Sequence, residues 1–204
     1  MRYSQSHKDD THKALLNAAA AHLREKGPDR LSITHVMKSA GLTHGGFYAH
    51  FESKDALLNE TLAEIFAKAG RRMGRQLEGL PPRHALAAYV DLYVAERHRD
   101  DPSNGCPLTA LASDMPRQSK RFRAAFEAGV KAMADGLAAR MTAAGIEDAE
   151  TLAPSILSAM AGAVTLSRTI SDKELSNELL ASTRAGIKAR LGLTELSLAS
   201  EMKL

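Results

Sequence analysis

The stretch LSITHVMKSAGLTHGGFYAHFESKDALL, residues 31–58, decides the fold of this chain. Its apolar residues recur at helical spacing as far as Gly41, where a first helix must end and the chain must turn. Thr43 can cap a second, short helix that has no bulky apolar side chain before Phe47. Such a helix contributes little to a core, but it suits a DNA major groove, which admits one helix. The stretch therefore predicts a helix-turn-helix DNA-binding unit.

Together with LLNAAAAHLREKG at residues 15–27, this stretch resembles the TetR family of bacterial transcriptional regulators. The most specific part of the pattern is FYxHFxSKxxLL, which begins at Phe47. Three positions depart from the family pattern: Met37, Ala49 and Glu52. Because Glu52 replaces a frequent lysine, we expect slightly weaker phosphate attraction. The resemblance implies a DNA-binding head, a ligand-binding helical body and a dimer.

The composition of the 204-residue chain agrees with helices packed through small side chains, since aromatic content is 4% and tryptophan is absent. The net charge of +3 permits nucleic-acid binding without demanding it. A single cysteine cannot form an internal disulfide, which favours a reducing compartment. The sequence shows no signal peptide and no apolar run near the ~18 residues that span a bilayer. We expect a cytoplasmic protein that does not enter a membrane.

Apolar periodicity predicts an all-α fold of about nine helices and no strand. A three-helix head containing the helix-turn-helix precedes a larger helical body for ligand binding and dimerisation. Outside the helix-turn-helix, the predicted helices are 11–26, 54–77, 84–97, 108–114, 117–144, 148–170 and 173–191, with a loop at 99–108. We assign residues 1–55 to the DNA-binding domain and residues 56–204 to the ligand-sensing and dimerisation domain.

Eight positions in the head are expected to contact DNA. In the family pattern Tyr48 and His50 donate to phosphate oxygens, and Lys54 shares a phosphate with the free N–H groups at a helix start. The full set is Thr34, Thr43, His44, Gly45, Gly46, Tyr48, His50 and Lys54. Each has a structural alternative, such as Tyr48 covering the core of the head or Lys54 pairing with a neighbouring carboxylate. Phe47 and Phe51 are expected to be core residues.

The segment SILSAMAGAVTLSRTI, residues 155–170, carries Ala, Ser and Gly at three- and four-residue spacings. Small residues let two helices approach closely, either within the chain or between two copies. With the family resemblance, we expect a homodimer formed through the last two long helices. A two-fold dimer would bind a nearly palindromic double-stranded DNA operator.

Two features of the body are candidates for sensing a small-molecule effector. The first is a set of residues able to line a pocket or simply form the core: Tyr89, Tyr93, Met115, Phe122, Phe126 and Met133. The second is Cys106, which lies in NGCPL before a short helix and follows Arg97, His98 and Arg99. A helix start and nearby positive charge lower a thiol pKa, so Cys106 is a candidate sensor of oxidants or electrophiles. The alternative is a structural thiol and a non-covalent ligand.

The predicted function is that of a sequence-specific DNA-binding regulator, a repressor that a small-molecule, electrophile or oxidant signal releases from its operator. Two other classes compete with it: an all-helical enzyme and an architectural DNA binder without an effector. The sequence contains no recognisable catalytic pair, metal-ligand cluster or phosphate-binding glycine loop. We therefore expect no enzymatic activity, no metal and no cofactor.

Overall fold

The computed structural model describes residues 5–196, and within that range it contains nine α-helices, three 3₁₀ segments and no strand. The helices are α1 (Gln5–Lys26), α2 (Ile33–Ser39), α3 (Lys54–Leu77), α4 (Pro82–Tyr93), α5 (Glu96–Asp100), α6 (Pro107–Leu111), α7 (Lys120–Ala143), α8 (Ala149–Ser167) and α9 (Lys173–Arg190). The 3₁₀ segments are His44–Ala49, Pro102–Asn104 and Met115–Arg117. The expected all-α class and helix number are confirmed.

Several helix boundaries follow from local chemistry that the sequence displays. The Ser32 hydroxyl accepts a hydrogen bond from the His35 N–H at 3.4 Å, and the Ser53 hydroxyl accepts one from the Ala56 N–H at 3.0 Å. Both serines satisfy backbone donors that have no partner inside the helix. After α2, Gly41 adopts a φ of +72°, a conformation that a side chain would disfavour. These signals explain why α2 and α3 begin where expected. Helix α1 instead begins at Gln5, six residues before the predicted start at Thr11.

The predicted helix 84–97 and the predicted loop 99–108 are both partly wrong. Helix α4 ends at Tyr93, and α5 together with a 3₁₀ turn occupies part of the predicted loop. Arg184 donates to the Val94 carbonyl at 2.6 Å, and Arg168 donates to the His98 carbonyl at 2.7 Å. These distant arginines bind carbonyls around the break, so the chain can leave the helix without losing hydrogen bonds. Local periodicity cannot reveal such partners.

The chain forms two compact units, each built from separate stretches of sequence. Unit 1 combines residues 1–68 with 102–128, and unit 2 combines residues 69–101 with 129–204, within the described range. In unit 1, helix α6 and the preceding 3₁₀ turn pack against α1. The functional boundary between residues 55 and 56 stays a prediction, because compactness alone does not assign function.

The core of unit 1 places large apolar side chains behind the helix-turn-helix. The most completely buried residues include Leu15, Leu23, Met37, Phe47 and Leu57. The Phe47 and Phe51 rings stack with centroids 5.7 Å apart, and both are buried, which confirms their expected core role. The exposed residues between them are consequently held in fixed directions.

In unit 2 a buried polar cluster joins α5 to α9. Arg99 is 5% exposed and donates to the Ser176 hydroxyl at 2.8 Å and to the Asn177 side-chain oxygen at 2.6 Å. It also donates to the Asp100 carboxylate at 2.8 Å and 3.0 Å. This hydrogen bonding holds the pKa of Asp100 at about 2. Such contacts let a guanidinium remain charged inside a helical unit.

His98 is held beside this cluster by the end of α4. Its Nδ1–H donates to the Tyr93 carbonyl at 2.6 Å, and its ring meets the Tyr93 ring edge-on at 4.8 Å. Burial lowers the pKa of His98 to about 4, and the positive charges of Arg168 and Arg72 act in the same direction. The Tyr93 carbonyl and Asp101 oppose this shift without cancelling it. His98 is therefore neutral near pH 7.

We expect the free energy of unfolding to fall as pH drops from about 6.5 to about 4. In this range His98 binds a proton in the unfolded chain but stays neutral in the folded protein. The full shift corresponds to at most ~3 kcal/mol. Urea unfolding at several pH values measures this dependence. His98→Gln should flatten it, whereas Ser39→Ala, at an exposed position without a titratable side chain, should not. Identical pH profiles for wild type and His98→Gln would contradict the assignment.

Helix α8 differs from the expectation that no segment is long and apolar enough to span a membrane. By length and composition Ala149–Ser167 reaches that threshold, although such a helix alone is a weak indication. Core and interface helices of water-soluble proteins have the same composition. Only 39% of its most apolar window is buried within the chain, so apolar surface of α8 remains uncovered.

Candidate nucleic-acid interface

The turn of the helix-turn-helix is closed by backbone hydrogen bonds at the end of α2. Gly41 N–H donates to the Lys38 carbonyl at 3.0 Å, and Leu42 N–H donates to the Met37 carbonyl at 2.9 Å. Val36 and Met37 are fully buried and anchor the inner side of α2. This arrangement sets the direction in which the next segment, His44–Ala49, leaves the turn; we call it the recognition segment.

The recognition segment is a 3₁₀ helix rather than an α-helix. It is only six residues long and contains Gly45 and Gly46, which are poor helix formers. The expectation that Thr43 caps it is wrong, because its side chain makes no capping hydrogen bond. Thr43 is exposed, and its hydroxyl accepts no capping hydrogen bond from a backbone N–H of the segment.

The structure brings all eight predicted DNA-contacting residues into unit 1. Five of them are exposed: Thr34, Thr43, His44, Gly45 and Tyr48. The other three are half-buried: Gly46, His50 and Lys54. The exposure of the first five residues contrasts with that of Phe47, which is 1% exposed within the recognition segment. The recognition segment thus has a buried anchor and a polar outer side.

Tyr48 is the most exposed large hydrophobic side chain among the described residues, with 70% of its surface accessible. Its ring meets the Phe47 ring edge-on at 5.2 Å, which orients it without covering it. The contact with Phe47 also fits the structural alternative, in which the Tyr48 ring covers the core of the head and its hydroxyl stays in solvent. A tyrosine held outward in this way can donate its hydroxyl proton to a phosphate oxygen.

Lys54 begins helix α3, as expected. Within the described residues it forms no ion pair with Glu52 or Asp55, the alternative partners that the sequence offers. Its ammonium group and the free N–H groups of the first turn of α3 are both donors to anions. Lys54 is therefore placed where a phosphate can be bound by side chain and backbone together.

His50 is surrounded by contacts that sequence reasoning missed. Burial lowers its pKa, and the charges of His12 and Lys8 on α1 lower it further. The His12 and His50 rings lie 6.3 Å apart, while His12 stacks on Phe51 at 4.6 Å. A neutral His50 still has one N–H to donate, so a phosphate contact does not require its positive charge. No pattern in the sequence around His50 predicts that residues of α1 lie close to it.

Thr34 and His44 are joined by a hydrogen bond across the helix-turn-helix. The Thr34 Oγ1 lies 3.2 Å from His44 Nδ1, and both side chains are exposed. Thr34 belongs to α2 and His44 opens the recognition segment, so the bond links the outer sides of the two elements. Ten residues separate the two positions, a spacing that carries no sequence signal by itself.

The six candidate pocket residues do not fall in one unit. Met115, Phe122 and Phe126 belong to unit 1, whereas Tyr89, Tyr93 and Met133 belong to unit 2. All are buried except Met133, which is half-buried. In unit 1 the Phe126 ring contacts Phe66 at 5.7 Å, and in unit 2 the Tyr89 and Tyr93 rings stack at 6.3 Å. The Arg140 guanidinium lies 5.7 Å from the Tyr89 ring centre, a contact that the sequence did not indicate.

Cys106 is buried, with 6% of its surface exposed, and it belongs to unit 1 with the head. Its carbonyl accepts a hydrogen bond from the Thr109 hydroxyl at 2.9 Å, at the start of α6. The basic residues Arg97, His98 and Arg99, which suggested an activated thiol, belong to unit 2. Arg99 and His98 have partners there, so the expected basic surroundings of the thiol are not part of its own unit.

Two family models match the chain over most of its described length. Residues 15–61 match the model for bacterial regulatory proteins of the tetR family. Residues 82–176 match the C-terminal domain model of LmrA/YxaF-like transcriptional regulators. The first match contains every predicted DNA-contacting residue, and the second contains α4 to α8.

The chain is also similar to curated regulators and to a solved structure. It is 43% identical over 92 residues to the uncharacterised HTH-type regulator YvdT of Bacillus subtilis, covering 44% of this chain and 47% of that protein. It is 29% identical over 117 residues to the transcriptional regulator AcuR of Cereibacter sphaeroides, covering 56% and 53%. The aligned part thus spans about half the length of these relatives.

The fold itself matches over nearly the whole chain. A TetR transcriptional regulator structure from Chloroflexus aurantiacus superposes with a TM-score of 0.76 at 22% identity, covering 90% of this chain and 97% of that one. At this identity the likeness concerns the fold alone.

Proposed function

The chain belongs to the TetR family of bacterial regulatory proteins, and from that membership we propose that it is a dimeric repressor which a small molecule releases from a nearly palindromic operator. Members of the family are transcriptional regulators that bind DNA through a helix-turn-helix. The observation that carries the proposal is the polar, exposed outer side of the recognition segment above the buried Phe47. Because its DNA target lies in the cytoplasm, we place the protein there.

Uncovered surface on α8 supports the proposal of a homodimer. Ser155, Ala159, Gly162 and Leu166 follow one another at helical spacing, and all are exposed except Gly162, which is half-buried. Leu166 is 57% exposed and is one of three large apolar side chains that are exposed among the described residues. We call this row the α8 stripe. Its small residues permit close approach of another helix.

Helix α9 carries a matching row, Leu175, Leu179, Ser182 and Gly186, which we call the α9 stripe. Leu175 is 52% exposed. A Cβ built on Gly162 or Gly186 would meet nothing within 4 Å, so packing within the chain does not require glycine at either position. A second copy that covers both stripes gives these small residues a role. Two helices from each copy would then form the interface.

For the effector, we propose a non-covalent ligand, with Cys106 as a structural thiol. A thiol must be accessible as well as ionised to react with an electrophile, and Cys106 is buried. Within unit 2, the stacked aromatic residues Tyr89 and Tyr93 are candidate contacts for such a ligand. The covalent mechanism remains a testable second mode, because Cys106 lies in the same unit as the head.

Cys106 is expected to react with a thiol reagent such as DTNB at least ~100-fold more slowly in the folded protein than in the unfolded chain, because folding shields it. Cys106→Ser should retain operator binding and release by the effector. Absorbance kinetics and gel shifts measure both properties. If wild type is labelled rapidly and releases DNA, while Cys106→Ser does neither, the covalent mode is correct.

A catalytic role for the chain has no observation in its favour. Among the described residues, no group of three or more His, Cys, Asp or Glu is arranged to hold a metal ion. We propose that the body serves regulation instead of chemistry. An architectural DNA binder without effector would show no ligand-induced change in melting temperature, which distinguishes it from the proposed repressor.

The proposed function is tested by footprinting the purified protein on the intergenic DNA upstream of its own gene. We expect protection of two symmetric half-sites ~10 bp apart or a multiple of that distance. Tyr48→Ala and Lys54→Ala should weaken binding to every sequence to a similar degree, because phosphate contacts do not depend on sequence. Ser39→Ala, at an exposed position on α2, serves as a control. Absence of any protected site would refute a local operator.

A further inference from the structure

The hydrogen bond between Thr34 and His44 leaves one edge of the histidine ring available. Oγ1 of Thr34 binds Nδ1 of His44 at 3.2 Å, so Nε2 is the remaining polar atom of the ring. Both residues are exposed, and a hydrogen bond between exposed side chains contributes little to stability. Its main physical effect is to restrict the His44 rotamer. The bond therefore orients a ring that has no structural task in the described part of unit 1.

The surroundings of His44 are open to a large partner. The adjacent Gly45 has no side chain, and a Cβ built there would meet nothing within 4 Å. On the other side, the Thr43 hydroxyl is not used for capping. Tyr48, four residues after His44 in the same segment, is also exposed. A base edge can approach Nε2 without displacing protein atoms.

The position of the proton on the ring is assigned rather than observed. The Thr34 hydroxyl can donate its proton to an unprotonated His44 Nδ1, since the two atoms are 3.2 Å apart. With the hydroxyl donating to Nδ1, a neutral ring carries its proton on Nε2. The outward edge is then a donor.

We propose that Thr34 and His44 act as one reading unit that selects guanine in each operator half-site, with the His44 Nε2–H donating to the N7 and O6 edge. This inference rests on the proposed function. In the major groove, guanine presents two adjacent acceptors. Thymine presents one acceptor beside a methyl group, adenine pairs one acceptor with a donor, and cytosine presents an amino donor. A donor at Nε2 favours the guanine edge. Thr34 is a positioning residue, and His44 makes the base contact.

The inference is tested by selecting binding sites from a random duplex library with wild type, His44→Ala, Thr34→Val and the control Ser39→Ala. Wild type and Ser39→Ala should enrich the same symmetric sequence, with guanine at one position of each half-site. His44→Ala should lose enrichment at that position alone. Thr34→Val should keep guanine with weaker preference. Circular dichroism melting checks that all four proteins fold.

A second measurement tests whether guanine N7 accepts the hydrogen bond from His44. Replacing that guanine by 7-deazaguanine removes N7 and should weaken wild-type binding about 10-fold, while His44→Ala should bind both duplexes equally. Enrichment of an A·T pair instead of a G·C pair at the position that His44 controls would overturn the proposed selection of guanine. A selected sequence unchanged by His44→Ala would overturn the reading role. If wild type and Ser39→Ala select no sequence at all, the proposed function itself fails.

Discussion

Replacing Leu166 by glutamate is expected to yield a folded monomer that no longer holds its operator. Leu166 is 57% exposed on the α8 stripe, so the single chain tolerates a charge there. In a dimer the carboxylate would be desolvated without a partner, which should raise the dimer dissociation constant at least ~100-fold. A monomer offers one head, and losing the linked second contact costs a further ~100-fold or more in apparent DNA affinity.

Light scattering after size exclusion and gel shifts at matched concentrations measure these two effects. Ala139→Glu is the matched control, because Ala139 is exposed in unit 2 on α7, outside both stripes. Leu175→Glu should reproduce the Leu166→Glu result from the α9 stripe, since Leu175 is 52% exposed. A Leu166→Glu protein that remains dimeric with unchanged operator affinity would show that the copies meet through another surface.

Replacing Arg99 by methionine is expected to cost unit 2 ~1–3 kcal/mol of stability, since it removes the charged donor that binds the Ser176 and Asn177 side chains. Asn177 would lose its donor, whereas Ser176 would keep the hydrogen bond that it donates to the Ser167 carbonyl at 2.8 Å. Asp100 would keep only its ion pair with Lys173, at 3.4 Å. Part of the loss therefore comes from the half-buried Asn177 side chain, which loses its charged donor.

Urea unfolding at pH 7 measures this cost, with Arg97→Met as control because Arg97 is exposed on the same short helix. The control should stay within ~0.5 kcal/mol of wild type. A second readout is acid unfolding. Asp100, with its pKa held at about 2, stabilises the fold above its ordinary value of 3.8 and loses this effect as pH falls toward 2. Arg99→Met should narrow the pH range over which ionised Asp100 stabilises the fold, because Arg99 is the main cause of the lowered pKa of Asp100. Wild-type stability in Arg99→Met would mean that the cluster contributes nothing.

Residues 31–58 illustrate how far local chemistry reaches. Serine caps, the glycine with positive φ and the buried phenylalanines each act over a few residues, so the helix-turn-helix and the start of α3 could be predicted. The same holds for the long helices, whose apolar periodicity persists over many turns. The recognition segment was harder, because its six residues are too few for periodicity to separate a 3₁₀ helix from an α-helix.

The sequence by itself determined the all-α class, the place of the head and the identity of its outer polar residues, because each depends on contacts within one helix or turn. Only the tertiary structure decided that α4 breaks near Val94, that Cys106 is buried in unit 1 and that Thr34 binds His44. These features depend on partners far apart in the chain. Packing selects such partners, and no local pattern of residue types encodes the pairing.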